Sequence, residues 1–361
     1  MENRFGEIIT NCAVSAAAML LCACNAAQEQ AECGGQSATQ CVAPAPESAY
    51  DLDISDLIMR DPAVFADEST KKYYIQSNSK ITKKNPKRGE IESGKALYCY
   101  ESKDLKKWRL AGKSFEAPAD FWGKRDFWAP DMFKIDGKYY IIATFSCDRE
   151  IDGKNYLDPQ KKLKLRGCSV LVSDTPQGPY KPLVNKPITP ENMMSLDGTL
   201  FEEDGRMYLL FSHEWVQIGN GAMCAVEISR DLKKALGKPF LLFSAGDAPW
   251  TNDTRNPRKV IVTDAPVVFR GDDGVLYMVW SSFRADKNRY AIGLSYSENG
   301  KLSGKWIHLP VPINEDGGGH PMVFKTLCGK TKISYHAPNT FPEKVVIKDF
   351  RAENKNAVIG K

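Results

Sequence analysis

Four aspartates and one histidine open five similar segments of this sequence, and these residue types can carry acid–base chemistry. The segments begin at Asp61, Asp131, Asp197, Asp264 and His320. Carboxylates held close together are costly to ionise unless they are hydrogen-bonded, paired or used in a reaction. Their mutual repulsion raises the pKa of some members, so that one can stay protonated beside an ionised neighbour. Cleavage of a glycosidic bond needs this division, because one carboxylic acid protonates the leaving oxygen and another carboxylate activates water or attacks carbon.

The residues that follow these five positions repeat as a unit. Each unit contains a strand, a tight turn and a return strand with aromatic residues, and the intervals between units are 70, 66, 67 and 56 residues. The Asp-Gly pairs at 136–137, 204–205 and 273–274 suit two-residue hairpins, which need positive φ. Further strands follow within the units, for example at 96–102 and 222–229. Five units of three or four strands predict an all-β fold, the five-bladed β-propeller.

A propeller also explains why a polar residue opens every unit, which a β-sandwich or jelly roll would not. The innermost strand of each blade lines the central axis, so its first residues surround one mouth of the channel. We therefore expect the four carboxylates and the histidine to converge at that mouth.

Several of these segments resemble glycoside hydrolase family 43. The resemblance rests on Arg60-Asp61-Pro62, on 128–131 (Trp-Ala-Pro-Asp), on Leu196-Asp197-Gly198 and on Gly319-His320, and it runs from about residue 53 to about residue 340. The family consists of five-bladed propellers, mostly arabinofuranosidases, xylosidases and arabinanases, that invert the anomeric configuration.

The resemblance implies a role for each matching residue. Asp61 matches the general base that activates water, and Asp197 matches the aspartate that orients and tunes the acid. His320 matches an axial histidine near which family members hold a calcium or another ion through water. Trp128 and Asp131 match a segment that borders the sugar subsite. No organic cofactor is expected.

The proton donor is where the sequence departs from the family pattern. The expected Glu-Ala-Pro or Glu-Gly-Pro reads Asp264-Ala-Pro here, and aspartate is one methylene shorter. Glu214, at the end of the return strand of the third unit, is the second candidate. The neighbouring Trp215 could cover Glu214 with apolar surface and so raise its pKa. We favour Glu214 as the acid, with Asp264 and Trp215 as substrate contacts, and Asp264 remains the alternative.

Composition narrows the choice of partners. The formal net charge is +4, with 49 Lys and Arg against 45 Asp and Glu, and no basic stripe indicates nucleic-acid binding. None of the four histidines lies at metal-ligand spacing from a cysteine, which argues against zinc. We expect buried free thiols at the five cysteines of the folded body and a monomeric protein.

The N-terminal residues resemble an export signal. An apolar run at 13–21 is too short to span a membrane and ends in Leu-Cys-Ala-Cys, similar to a bacterial lipobox in which Cys24 would be lipidated. We expect a signal peptide at 1–24, a flexible tether at 25–50 and a catalytic propeller at 51–361. The protein would then be exported and lipid-anchored to a bacterial outer membrane, on its periplasmic or surface face. A plain secretory signal is the alternative.

These features predict an inverting, exo-acting glycosidase that cleaves an oligosaccharide or polysaccharide of plant origin. An α-L-arabinofuranoside is the favoured substrate, followed by a β-xyloside or a β-galactoside. Long loops at 80–93, 145–166 and 249–258 suggest a pocket that accepts a chain end. The main alternative is a lipid-anchored protein that binds glycans without cleaving them, since fold does not fix function.

Overall fold

The computed structural model describes residues 50–81, 95–251 and 260–360. Within these ranges almost all regular structure is β-strand, arranged in five antiparallel sheets. This confirms the predicted all-β, five-bladed propeller. The predicted signal peptide, Cys24 and nearly all of the predicted tether lie outside the described residues, as do 82–94 and 252–259 in the predicted loops.

The first two blades come from the N-terminal half of the chain. Blade 1 has the strand order β1-β5-β4-β3-β2 and is formed by β1 (Leu52–Asp53), β2 (Val64–Asp67), β3 (Lys72–Ser77), β4 (Ala96–Ser102) and β5 (Lys107–Glu116). Blade 2 is formed in chain order by β6 (Arg125–Ile135), β7 (Lys138–Ile151), β8 (Leu163–Ser173) and β9 (Lys181–Pro182).

The last three blades each contain four strands in chain order. Blade 3 is formed by β10 (Ser195–Glu203), β11 (Arg206–His213), β12 (Ala222–Ile228) and β13 (Phe240–Ser244). Blade 4 is formed by β14 (Asp264–Arg270), β15 (Leu276–Phe283), β16 (Tyr290–Ser297) and β17 (Trp306–His308). Blade 5 is formed by β18 (Gly319–Lys325), β19 (Thr331–Ala337), β20 (Lys344–Glu353) and β21 (Asn356–Ile359).

Helical structure is minor in the part of the chain that the structure describes. It consists of the one-turn helix α1 (Trp215–Ile218) and two 3-10 turns, Ile54–Asp56 and Ala245–Asp247. None of the helices in the described ranges has the length and apolar character needed to cross a bilayer.

The innermost strands β2, β6, β10, β14 and β18 contact one another in a closed ring. Hydrogen bonds between blade 5 and the chain that leads into blade 1 close this ring. Ser334 Oγ donates to the Pro62 carbonyl at 2.6 Å, and Val345 N donates to the Leu57 carbonyl at 3.2 Å. The two ends of the propeller are thus joined without a shared sheet.

The hydrophobic core is divided into five clusters, each packed between neighbouring blades. Phe115 of blade 1, for example, packs against Phe127 and Phe145 of blade 2, with ring centroids 6.0 and 6.3 Å away. Burial of apolar surface at all five contacts holds the innermost strands around the axis. Cys99, Cys168 and Cys224 are buried free thiols as predicted, but Cys147 is only half-buried and Cys328 is exposed.

Two of the Asp-Gly turns have the backbone that the sequence predicts. Asp136 and Gly137 have φ of 49° and 79°, and Asp204 and Gly205 have φ of 52° and 74°. Positive φ at both central residues is the type I′ pattern that joins two twisted strands.

Each blade has one residue with an unusual backbone conformation, in its innermost strand or just before it. The positions of these residues correct the predicted alignment of the blades. The backbone is left-handed, with φ between 45° and 59°, at Asp61, Ala129, Asp197, Ala265 and His320. In blades 2 to 5 a β-bulge covers this residue and the next. Asp61, Asp197 and His320 are therefore equivalent as predicted, whereas Asp131 and Asp264 are not. Asp131 lies two residues after the left-handed position of its blade, and Asp264 lies one residue before it.

Gly198 follows the left-handed residue in blade 3, where the other blades have proline. A Cβ atom on Gly198 would lie 2.9 Å from both Cys168 Sγ and Ile142 Cγ2. Glycine is required there because blade 2 approaches the backbone closely.

Candidate active site

A cleft of about 450 Å³ opens at the mouth of the channel where the innermost strands begin. Seven of the eight predicted site residues line it: Asp61, Trp128, Asp197, Glu214, Trp215, Asp264 and His320. Asp131 does not. The cleft thus brings together carboxylates and aromatic side chains from all five blades.

Asp61 is held by side chains on both sides. Its backbone N–H donates to His336 Nδ1 at 3.2 Å, and its Oδ1 lies 3.1 Å from His320 Nδ1. Burial alone would raise the pKa of Asp61, but His320, His336 and Arg60 outweigh it, so the pKa lies well below its usual range. Asp61 is therefore ionised at neutral pH, as a general base must be.

The sequence did not reveal His336, a fully buried residue of β19. Its Nδ1 lies 3.2 Å from the Asp61 backbone nitrogen, and its Nε2 lies 2.9 Å from Asn339 Oδ1. The same oxygen accepts a hydrogen bond from Arg60 Nη2 at 2.5 Å. Blade 5 thus fixes the strained backbone of Asp61, which no spacing within blade 1 could indicate.

Asp197 is fixed by blades 2 and 4. Its backbone N–H donates to Thr144 Oγ1 at 2.9 Å, and its Oδ2 accepts the Ala265 N–H at 3.0 Å. Burial raises the pKa of Asp197 well above its usual value, and the charges of Asp264 and Asp61 raise it further. Asp197 can therefore keep a proton while Asp61 is ionised.

Glu214 follows β11, whose last residue His213 pairs with Ser195, so Glu214 emerges near Asp197 as predicted. Its carboxylate is nearly inaccessible and accepts hydrogen bonds from Arg166 Nη1 at 2.5 Å (Oε1) and 2.6 Å (Oε2). Burial raises the pKa of Glu214, and the opposite charge of Arg166 only partly offsets this.

The loop around Glu214 is tied down by Gln217 of α1. Its Oε1 accepts the Met194 N–H at 2.7 Å and lies 2.9 Å from His213 Nε2. Its Nε2 donates to the carbonyls of Asp152 and Asn192. The short helix after Glu214 therefore joins the turn to the loops on either side of it.

Asp264 faces the same cleft from blade 4. Its Oδ2 accepts the Tyr290 hydroxyl at 2.7 Å. Burial raises the pKa of Asp264 to about 7, with Tyr290 opposing this shift and the charges of Asp61 and Glu214 adding to it. Asp264 can thus also carry a proton near neutral pH, and it remains the second candidate for the acid.

Trp128 and Trp215 form an aromatic part of the cleft wall. Trp128 is 37% exposed, and its ring centroid lies 4.6 Å from the Arg166 guanidinium carbon. A rigid, partly exposed indole offers the apolar face on which a sugar ring can stack, because the C–H groups of sugars pack against aromatic surfaces.

His320 links the cleft to the channel below it. Its Nδ1 lies 3.1 Å from Asp61 Oδ1 and 3.7 Å from Asp197 Oδ2. Burial lowers the pKa of His320 to about 4, although Asp61 opposes the shift. The ring is therefore neutral at neutral pH and can donate a hydrogen bond to Asp61 without adding a charge.

The predicted calcium near His320 has little room. The cavity below the histidine measures about 20 Å³, enough for about one water. In the described ranges, no three His, Cys, Asp or Glu side chains are grouped so that they could hold a metal. Calcium takes six to eight oxygen ligands, which does not fit this cavity. The ion stays a prediction, and no step below depends on it.

Asp131 lies inside the channel rather than in the cleft. Its Oδ1 accepts the Met132 N–H at 2.8 Å, and its Oδ2 accepts the Thr199 hydroxyl at 2.6 Å. It lines the small axial cavity and the opposite mouth of the channel. The predicted contact of Asp131 with the sugar is therefore not supported by its position.

Asp131→Asn should stabilise the protein at alkaline pH. Burial raises the pKa of Asp131 to about 7, so the folded state retains a proton that the unfolded state loses near pH 4. Stability therefore falls as pH rises between these values, by on the order of 4 kcal/mol in total. Urea unfolding at pH 5 and pH 8 should show a gain for Asp131→Asn that is much larger at pH 8. An equal gain at both values, or none, would contradict this, and Asp51→Asn is the exposed control.

Comparison with known proteins agrees with the geometry. The family model for glycosyl hydrolases family 43 matches residues 51–359. A solved endo-arabinase from Bacteroides thetaiotaomicron VPI-5482 is 42% identical, with a TM-score of 0.74 over 84% of this chain and 98% of that one. The chain belongs to glycosyl hydrolases family 43, a family of enzymes that cleave glycosidic bonds.

More distant matches include one solved structure with the same fold and one curated protein. An α-L-arabinofuranosidase from Lactobacillus brevis has a TM-score of 0.63 at 18% identity, over 86% of this chain and 96% of that one. The xylosidase/arabinosidase 43A of Humicola insolens is 30% identical over 95 residues. That match spans 26% of this chain and about a quarter, 24%, of the curated relative.

Proposed function

We propose that this glycosidase hydrolyses α-L-arabinofuranosidic bonds of plant polysaccharides and inverts the anomeric configuration. The observation that carries the proposal is the single cleft in which an ionised Asp61 lies with protonatable carboxyl groups at Asp197, Glu214 and Asp264. Arabinose is favoured over xylose and galactose because the endo-arabinase is 42% identical over nearly its whole length.

In the proposed reaction, Asp61 takes a proton from a water molecule as the water oxygen attacks the anomeric carbon. Glu214 gives its proton to the glycosidic oxygen as the bond between that oxygen and the anomeric carbon breaks. Asp197 donates no proton to the sugar; held in place by blades 2 and 4, it orients the acid. At the end of the reaction Asp61 is protonated and Glu214 is ionised, and exchange with solvent restores both.

The mode of cleavage has two candidates. The predicted exo action is supported by a cleft of limited volume, about 450 Å³. Endo action is favoured by the relative at 42% identity, which is described as an endo-arabinase.

An assay on a panel of substrates tests the proposal. Aryl α-L-arabinofuranoside, β-xyloside and β-galactoside should be compared with linear and branched arabinan. We expect the arabinosides to be cleaved fastest. Early release of arabinose alone indicates exo action, early release of oligosaccharides indicates endo action, and preference for xyloside or galactoside would overturn the choice of sugar.

His336→Ala should lower kcat by about 10- to 100-fold while changing KM little, because small displacements of a catalytic group have effects of this size. The loss leaves the Asp61 N–H without its acceptor, which should also lower stability by about 1–3 kcal/mol. His308→Ala is a matched control. His308 is a half-buried histidine whose Nδ1 lies 2.8 Å from Ser295 Oγ, away from the cleft. An equal loss of kcat in both variants would show that His336 has only a structural role.

Export and lipid anchoring at Cys24 remain proposals that rest on the sequence of residues 1–24. The monomeric state is likewise an expectation. A lipid-anchored glycosidase would act on oligosaccharides held near the cell surface or in the periplasm.

A further inference from the structure

Arg166 of β8 contacts two parts of the cleft that have separate roles. Its Nη1 donates to both oxygens of Glu214, at 2.5 and 2.6 Å, and its guanidinium carbon lies 4.6 Å from the centroid of Trp128. Nε donates to Ser146 Oγ at 3.1 Å, and Nη2 donates to Asp126 Oδ2 at 3.2 Å. The side chain is only 16% exposed, so the guanidinium is held on all sides.

We propose that Arg166 is a positioning residue that fixes the Glu214 carboxylate and supports the Trp128 ring as a platform for the sugar. One guanidinium thereby connects protonation of the leaving group to sugar binding. The proposal rests on the proposed function, since it takes Glu214 as the acid.

The planar shape of arginine suits both contacts. The edge of a guanidinium donates to a carboxylate while its face stacks on an aromatic ring, which a lysine ammonium cannot do. Asp126 and Ser146 accept two further hydrogen bonds, so Arg166 has little freedom to follow a substrate. A change in the contact between Trp128 and Arg166 when a sugar binds would therefore alter the hydrogen bonds from Arg166 to Glu214.

The charges around Glu214 give Arg166 a second effect. Asp126, and Asp197 and Asp264 whenever they are ionised, interact with Glu214 as like charges, and Arg166 is a cation that contacts its carboxylate. Adjacent His213 is bound to Gln217 and has a pKa lowered by burial, so it adds no charge at neutral pH. Arg166 therefore sets how firmly the proton is held on Glu214.

The test measures proton affinity without catalysis. In protein labelled with ¹³C at glutamate carboxyl groups, the Glu214 resonance is identified by its absence in Glu214→Gln and titrated by NMR. Arg166→Met should raise the proton affinity of Glu214 about tenfold or more, because an opposite charge at this distance lowers a carboxyl pKa substantially. Arg166→Lys should restore most of the wild-type affinity. Lys164→Met, two residues earlier in the same strand and paired with Glu150 instead of Glu214, should have no effect.

Kinetics test the platform. KM for an arabino-oligosaccharide should rise about threefold or more in both Arg166 variants, because neither methionine nor lysine can stack a planar guanidinium on Trp128. The alkaline limb of kcat/KM should move to higher pH in Arg166→Met alone. Unchanged Glu214 proton affinity in Arg166→Met, or unchanged KM in both variants, overturns the proposal. If Arg166→Met does not fold, an unchanged KM in Arg166→Lys overturns it.

Failure of the proposed function gives a different result. If Glu214→Gln keeps its activity on an oligosaccharide, Glu214 is not the acid, and the proposed link between Arg166 and protonation fails with it. If Glu214→Gln is inactive but Arg166→Met leaves the Glu214 titration unchanged, the role of Arg166 alone is refuted.

Discussion

Asp61→Asn should lower kcat/KM by about 10² to 10⁴-fold on every substrate, whatever its leaving group, because the variant cannot take a proton from the attacking water. The amide keeps the size of the carboxylate, and its backbone N–H can still donate to His336. Binding should therefore survive, and the loss should appear in kcat. Initial rates on an arabino-oligosaccharide and on an activated aryl arabinofuranoside measure the effect.

Asp131→Asn is the matched control for this variant. It makes the same chemical change in the neighbouring blade, at a carboxyl group that lies in the channel and outside the cleft. It should retain nearly full activity. Equal losses in the two variants, or more than about a tenth of wild-type activity in Asp61→Asn, would remove Asp61 from the role of base.

Glu214→Gln should lower kcat/KM by about 10² to 10⁴-fold on an oligosaccharide, but much less on an aryl arabinofuranoside with an acidic phenol. The leaving oxygen of a sugar needs a proton, whereas a phenolate of low basicity departs without one. Dependence on the leaving group therefore separates loss of the acid from loss of the base. Rates on the two substrates, taken as a ratio to wild type, provide the measurement.

Asp264→Asn decides between the two candidate acids. Tyr290 should still contact the amide oxygen, so the cleft should keep its shape. We expect a loss that is similar on both substrates, as for a residue that orients the sugar. If Asp264→Asn shows the dependence on the leaving group and Glu214→Gln does not, Asp264 is the acid.

The fold could be predicted because its signals are local. Asp-Gly turns at 136–137 and 204–205 mark hairpins by the backbone that they allow, and a turn between the first two strands recurs once in every blade. Blade number and strand order follow from that recurrence. The predicted alignment of the blades was less accurate because it matched polar residues. The equivalent backbone position in each blade is instead the left-handed residue.

A better signal for the alignment was present in the sequence. The left-handed residue is followed by proline in four blades and by Gly198 in blade 3. A phenylalanine lies four positions after it in every blade: Phe65, Phe133, Phe201, Phe269 and Phe324. Matching those positions would have placed Ala129 and Ala265, not Asp131 and Asp264, beside Asp61 and Asp197.

Arg166 and His336 could not be found in the same way. Each acts across a contact between blades: Arg166 of blade 2 on Glu214 after blade 3, and His336 of blade 5 on Asp61 before blade 1. A repeat predicts which residues one blade contributes to the channel. Contacts between side chains of different blades depend on how neighbouring blades pack, which the repeat does not specify. Glu214 was found because its own strand returns to the mouth.

The stereochemistry of the first product tests the central proposal most directly. Hydrolysis of an α-L-arabinofuranoside should be followed by ¹H NMR from the first minutes, before the released sugar mutarotates. With Asp61 as a base that activates water, the β-anomer of arabinose should appear first and the α-anomer only later. Initial release of the α-anomer would contradict direct attack by water, and with it the role proposed for Asp61.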